Sequence, residues 1–157
     1  MASILITTAD LIAAAINAAD WDGVEDFKAV RSYATFEQTL EDQDVLHVDV
    51  VPVYNPTSEL ETRAEVVYVM AFDIAVRQRM GTEKQDQTTG EILTSAVDPL
   101  VSFVEAIHDY FCTDRFSGTN TIWKITEFRA AYVREQLKEL RQFTGIVRLT
   151  FEGIKSL

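Results

Sequence analysis

His108 and Cys112 lie four residues apart in a segment of helical periodicity, a spacing that puts an imidazole and a thiol on one helix face. Zinc takes three or four such ligands. His47 and Asp49 are the remaining candidates, and no spacing ties them to the first two. Cys112, the single cysteine, with His108 or His47 is also the one thiol–imidazole arrangement open to nucleophilic catalysis. A free cysteine is as readily a small buried hydrophobe. Asp49 and Asp73 offer paired carboxylates, one per strand, but such residues more often pair with Arg or Lys, and no sugar-binding aromatic pattern accompanies them. No Gly-x-Ser-x-Gly elbow exists. Gly23, Gly81, Gly90, Gly118, Gly145 and Gly153 are scattered, so no loop cradles a phosphate. Trp123, Phe128 and Tyr132 with Lys124 and Arg129 have the residue types that stack on bases, a use that a net charge of -11 opposes. These negatives lead to the expectation of no catalytic residue, no cofactor and no metal.

Those residues need elements to hold them, and the composition sets the frame. A chain of 157 residues that is 47% hydrophobic is sized for a single domain, residues 1–157, with a proper core. Nine Phe, five Tyr and two Trp must be hidden, which excludes wholesale disorder. One cysteine excludes an intrachain disulfide. The negative charge also argues against an anionic membrane surface. Met1 to Ile6 has no positive residue, and Asp10, Asn17 and Asp20 interrupt the apolar stretch that follows. A signal peptide or spanning helix is therefore not expected, and folding in a reducing cytoplasm is.

The first element reads as a helix capped by Thr7 or Thr8, with Asp10 in its first turn and Leu11, Ile12, Ala15, Ile16 and Ala19 as its apolar stripe. A strand is expected from Phe27 to Thr35, then a polar stretch from Glu37 to Asp44 with room for one helical turn. Leu46 to Val53 reads as a strand with Leu46, Val48 and Val50 on one face, ended by Pro52. Asn55-Pro56-Thr57-Ser58 reads as a turn. Ala64 to Arg79 alternates so regularly that one face must be buried, with Arg77-Gln78-Arg79 projecting beyond the core. After a polar loop from Gly81 to Glu91, Asp98 caps a helix opened by Pro99, its stripe formed by Leu100, Phe103, Val104, Ile107 and Phe111. Ser117-Gly118 breaks the chain; a short strand from Thr121 to Thr126 holds Trp123 and Ile125 together, and a short helix spans Tyr132 to Leu140. The final strand, Phe143 to Phe151, turns Gly145, Val147, Leu149 and Phe151 to one side. The sum is an α+β fold: a mixed or antiparallel sheet of four to five strands with helices packed on one face.

Charge is unevenly spread. From Asp20 to Glu65 twelve acids face three bases, and from Arg115 to Lys155 eight bases face four acids. Two unlike regions can attract copies of one chain head to tail, or adjoin and pair within it.

The Ala-rich N-terminal helix, the strand Leu46-His47-Val48-Asp49-Val50-Val51-Pro52, the long strand Val66 to Arg79, the polar loop, the helix Pro99 to Phe111 and the closing strand Phe143 to Phe151 follow one another in a distinctive order. This order resembles the tail terminator (tail completion) proteins of long-tailed bacteriophages over most of the chain, as a layout and not as a signature of invariant residues. The resemblance implies a structural virion subunit that assembles in the host cytoplasm and resides in the tail or neck. It implies a homo-oligomeric, hexameric ring that caps the tail tube protein and meets the head–tail connector protein. DNA would pass through without specific binding, and no membrane would be involved. No catalytic residue is carried over.

A closed ring needs two different complementary surfaces on each subunit. The acids Glu37, Glu41, Asp42 and Asp44 and the bases Arg134, Lys138 and Arg141 are one candidate pair. The Gly81–Glu91 loop is the other candidate contact, through Glu83, Lys84 and Asp86, with Arg77 and Arg79 in phase at its base. It is longer than the roughly 2–6 residues a strand-to-helix connection needs, and its polarity predicts mobility. The alternative function is an acidic intracellular binding or inhibitor module, with Glu37, Glu41, Asp42 and Asp44 presented to a basic partner like phosphates.

Overall fold

A strand satisfies its backbone only by pairing, and the longest alternation in the chain is paired on both sides. The computed structural model describes residues 3–33, 36, 39–53, 57–60, 64–113, 115, 116 and 119–156. Along the chain run α1 (Ile4–Ala18), β1 (Ala29–Arg31), β2 (His47–Pro52), β3 (Thr57–Leu60), β4 (Glu65–Arg79), a 3₁₀ turn (Thr82–Lys84), α2 (Thr94–Tyr110), β5 (Thr121–Ala130), α3 (Arg134–Glu139) and β6 (Gln142–Ser156). They form one mixed sheet in the order β1-β2-β4-β6-β5, with β3 also on β4. β4 and β6 are antiparallel along their full fifteen residues, from Glu65 opposite Ser156 to Arg79 opposite Gln142. On its other side β4 meets β2 and then β3, both antiparallel, while β1 is parallel to β2.

One sheet face carries the core. Met70, Phe72, Ile74 and Val76 of β4, Phe143, Val147, Leu149 and Phe151 of β6, and Val48 and Val50 of β2 are all buried. α1 covers this face over β1 and β2 with Ala9, Ile12 and Ile16, and α2 covers it over β6 and β5 with Leu100, Phe103, Val104 and Ile107. The fold class is thus the α+β arrangement that the patterning predicts.

Several boundaries differ from expectation. α1 begins at Ile4, capped by Ser3, whose hydroxyl accepts from the Ile6 amide at 3.4 Å. Thr8 instead donates to the Ile4 carbonyl at 2.7 Å, and Asp10, beyond the first turn, pairs with Arg31 at 3.0 Å. β1 is only three residues long: the Asn17 amide group takes both the carbonyl and the N–H of Ala29, at 2.9 and 2.7 Å. Ala34 and Thr35 lie outside the described residues, as do Glu37 and Gln38. Residues 41–44 form bends, and no helical turn is present among the described residues 39–44. Thr57 and Ser58 open β3 and not a turn; Asn55 and Pro56 lie outside the described residues. α2 starts at Thr94, so Pro99 sits inside it and Asp98 is no cap; Ala96 and Val97 pack on the core and extend the helix upstream. Ser117 and Gly118 also lie outside the described residues.

β5 outruns its expected end by four residues. Irregularities between Trp123 and Ile125, and between Phe128 and Ala130, break the period of two. The first of them separates two residues expected together. Trp123 sits opposite Phe151 on the core side, and Ile125 opposite Thr150 on the far side.

Gly145 lets α2 lie close on β6: a Cβ there would stand 2.6 Å from Val104 Cγ2 and 2.9 Å from the Ala131 carbonyl oxygen. Neither neighbour is a free-swinging side-chain end. Gly145→Ala is therefore expected to destabilise the fold by about 1–3 kcal/mol, read as a lowered urea midpoint at unchanged slope.

Candidate functional site

The sheet face opposite α1 and α2 holds the charged residues. Asp73 of β4, 4% exposed, lies directly opposite Arg148 of β6, which donates to it at 2.8 and 3.1 Å. Arg129, at the second irregularity of β5, donates to the same carboxylate at 2.7 Å. The hydrogen bond that Arg148 donates to Asp73 holds its guanidinium above its ordinary pKa. One carboxylate thus ties three strands. Asp49 has a separate partner, Arg77, at 2.9 Å. The two carboxylates considered for acid–base work are both taken by arginine, Asp49 by Arg77 and Asp73 by Arg129 and Arg148.

The residues singled out for an interface divide. Arg77 does not project: it is 6% exposed, bound to Asp49, with its guanidinium 5.8 Å from the Phe36 ring centre. Gln78 is buried beside it. The two strands flanking this end of β4, together with Phe36, enclose side chains that sequence position alone places at a tip. Arg79 donates to the Leu40 carbonyl at 3.2 Å. Lys84 lies 3.4 Å from Asp44, which also accepts from the Gly81 amide at 2.9 Å. The Asp86 carboxylate accepts from the amides of Thr89 and Thr88, at 3.1 and 2.7 Å, and these hold it below the usual carboxylate range. The Leu93 amide donates to the Lys84 carbonyl at 2.9 Å. The loop therefore has its own hydrogen-bonded frame, and Glu83 is exposed on it.

The acidic and basic stretches are neighbours within the chain. Gln142 accepts from the Leu40 amide at 2.8 Å, and Gln136 of α3 donates to the Phe36 carbonyl at 2.9 Å. Asp42 binds His47 at 2.8 and 3.0 Å, and this bond holds its carboxyl below the ordinary value. Glu41 is exposed; Glu37 lies outside the described residues. Arg134 and Lys138 are exposed on α3, while Arg141 is half-buried. Among the described residues no ion pair joins the two stretches, so they adjoin at one end of the sheet through backbone and amide contacts. They are not opposite poles.

At the other end, the face opposite the helices carries exposed apolar side chains. Val69 and Ile122 flank Glu152, and Ala71 and Ile125 flank the next residue on that face, Thr150. Val69, Ile122 and Ile125 are 38, 42 and 53% exposed, and no described helix covers them. The Lys124–Glu152 pair, at 3.2 Å, places a charge among these side chains. Sequence patterning missed this grouping because the β5 irregularity decides which way Ile125 points.

His108 and Cys112 do come together at the end of α2, with Sγ 3.7 and 3.9 Å from the two ring nitrogens. His47 and Asp49 stay on β2 with Asp42 and Arg77. Asp109, which the spacing did not single out, joins the pair: its Oδ1 is 3.0 Å from His108 Nδ1. No protein-family model matches the chain, and none of the curated proteins matches it.

Removing Asp73 would leave two guanidinium groups without their carboxylate. Asp73→Ala is expected to cost about 2–3 kcal/mol by urea denaturation, below the figure for a fully buried pair. The side chains of Arg129 and Arg148 are 52 and 30% exposed and can rehydrate.

Proposed function

We propose that this protein is a structural subunit of a long-tailed bacteriophage virion. It is a tail terminator or neck component that forms a ring, caps the tail tube and joins it to the head connector. The observation that carries the reading is the uncovered sheet face on which Val69, Ile122 and Ile125 stand exposed around Glu152. Exposed large apolar side chains grouped around a charged pair on an otherwise acidic protein suit a protein-binding surface. The charged end formed by residues 39–45 and α3 supplies a second, unlike surface, as ring closure requires. The order of elements that prompts the resemblance supports the same reading. A net charge of -11 suits a conduit that DNA traverses without being held.

An acidic inhibitor is the weaker reading. Of its four acids, Asp42 is engaged by His47, and Asp44 by Gly81 and Lys84.

The test is assembly state. The expected result is a particle several times the 17.7 kDa chain mass by light scattering, alone or with purified tail tubes as template. The double variant Ile122→Glu, Ile125→Glu is expected to fold and remain monomeric, because both side chains already face solvent. High salt is expected to weaken assembly only modestly, since exposed ion pairs contribute about 0–1 kcal/mol each. A parent protein that stays monomeric with and without tail tubes, or a double variant that assembles normally, overturns the proposal.

A further inference from the structure

We propose that His108, Asp109 and Cys112 form a binding site for a zinc-type divalent cation at the C-terminal end of α2. Imidazole nitrogen, thiolate sulfur and carboxylate oxygen are the donor set that zinc accepts and that magnesium or calcium does not. The three donor atoms lie within 4.8 Å of one another. Metal–ligand bonds of about 2.0–2.3 Å at a tetrahedral ion set donor separations of about 3.3–3.7 Å. Nδ1–Oδ1 is 3.0 Å and Nδ1–Sγ is 3.7 Å, so the set is already gathered to nearly that scale.

The surroundings hold one ligand and leave two adjustable. The His108 ring stacks on Phe128 at 4.1 Å between centroids and 9° between planes, which fixes its orientation. The helix end is anchored to β5: Trp123 Nε1 donates to Thr126 Oγ1 at 2.8 Å, and that hydroxyl donates to the Phe111 carbonyl. The Cys112 amide turns back to the Asp109 carbonyl at 3.2 Å, keeping the thiol over the last turn. Asp109 and Cys112 are exposed, so rotation of these two side chains about the fixed imidazole completes the coordination, with water in the fourth position.

Cobalt(II) is the probe, added to the reduced protein. The expected result is one equivalent bound, with a thiolate-to-cobalt charge-transfer band in the near ultraviolet and visible bands of tetrahedral intensity, both bleached by zinc. Cys112→Ser is expected to abolish the charge-transfer band. His108→Gln and Asp109→Asn are expected to weaken binding by about tenfold or more. His47→Gln is expected to leave the titration unchanged, and all four positions are exposed or half-buried, so the variants should fold as judged by far-ultraviolet circular dichroism. Absence of the charge-transfer band in the parent protein overturns the proposal. So does a titration that His108→Gln leaves unaltered, which would mean adventitious binding to the thiol alone.

Discussion

The ladder between β4 and β6 is the constraint on which the rest of the molecule depends. Successive side chains of a strand point to opposite faces, so a slip of one residue would exchange them. Phe72 and Ile74 would leave the core and Asp73 would enter it. The pairing of Asp73 with Arg148 directly across the ladder, tied in turn to Arg129 on β5, marks one register out from its neighbours. Gly145 and Gly153 do so again from the other face, since each stands where a Cβ would press into a helix side chain, Val104 of α2 or Ile4 of α1. Apolar pattern, charge pairing and close approach all agree on a single alignment.

What could be read from the sequence follows from what is local. The alternation of β4, the apolar stripe of α2 and the buried side of β2 depend on periodicity, and each lies where the pattern puts it. What escaped depends on partners distant in the chain. Arg77 reads as a strand tip, but Asp49, 28 residues earlier, lies close enough to bind it in the interior. The second half of β5 is invisible to a period of two because two irregularities reset it. α2 begins before Pro99 because Ala96 and Val97 find the core, and a proline that could open a helix does not say that it must. Asp109 was missed for the opposite reason. Adjacent helix residues do not face each other, and only the orientation of the His108 ring at the helix end brings the two side chains together.

Charge segregation along the chain did not become charge segregation in space. The acidic stretch around residues 39–45 folds against the start of β6 and α3, so the two unlike regions share one end of the sheet. The distinctive surface is instead the face the helices leave open, which carries exposed apolar side chains at one end and is closed by arginine–aspartate pairs at the other. Two helices are enough for one face of a six-stranded sheet, and among the described residues no third of comparable length covers the second.

The fifteen-residue ladder also has a mechanical meaning. At about 3.4 Å per residue it is a beam roughly 50 Å long. Its strands are antiparallel, and their nearest ends are joined only through α2, β5 and α3. A load that pulls β4 and β6 past each other along their length meets all fifteen rungs together, in shear, whereas a load that peels one end opens them singly. Along that axis the subunit is stiff, in contrast to its edge strand β1, which pairs with β2 over three residues.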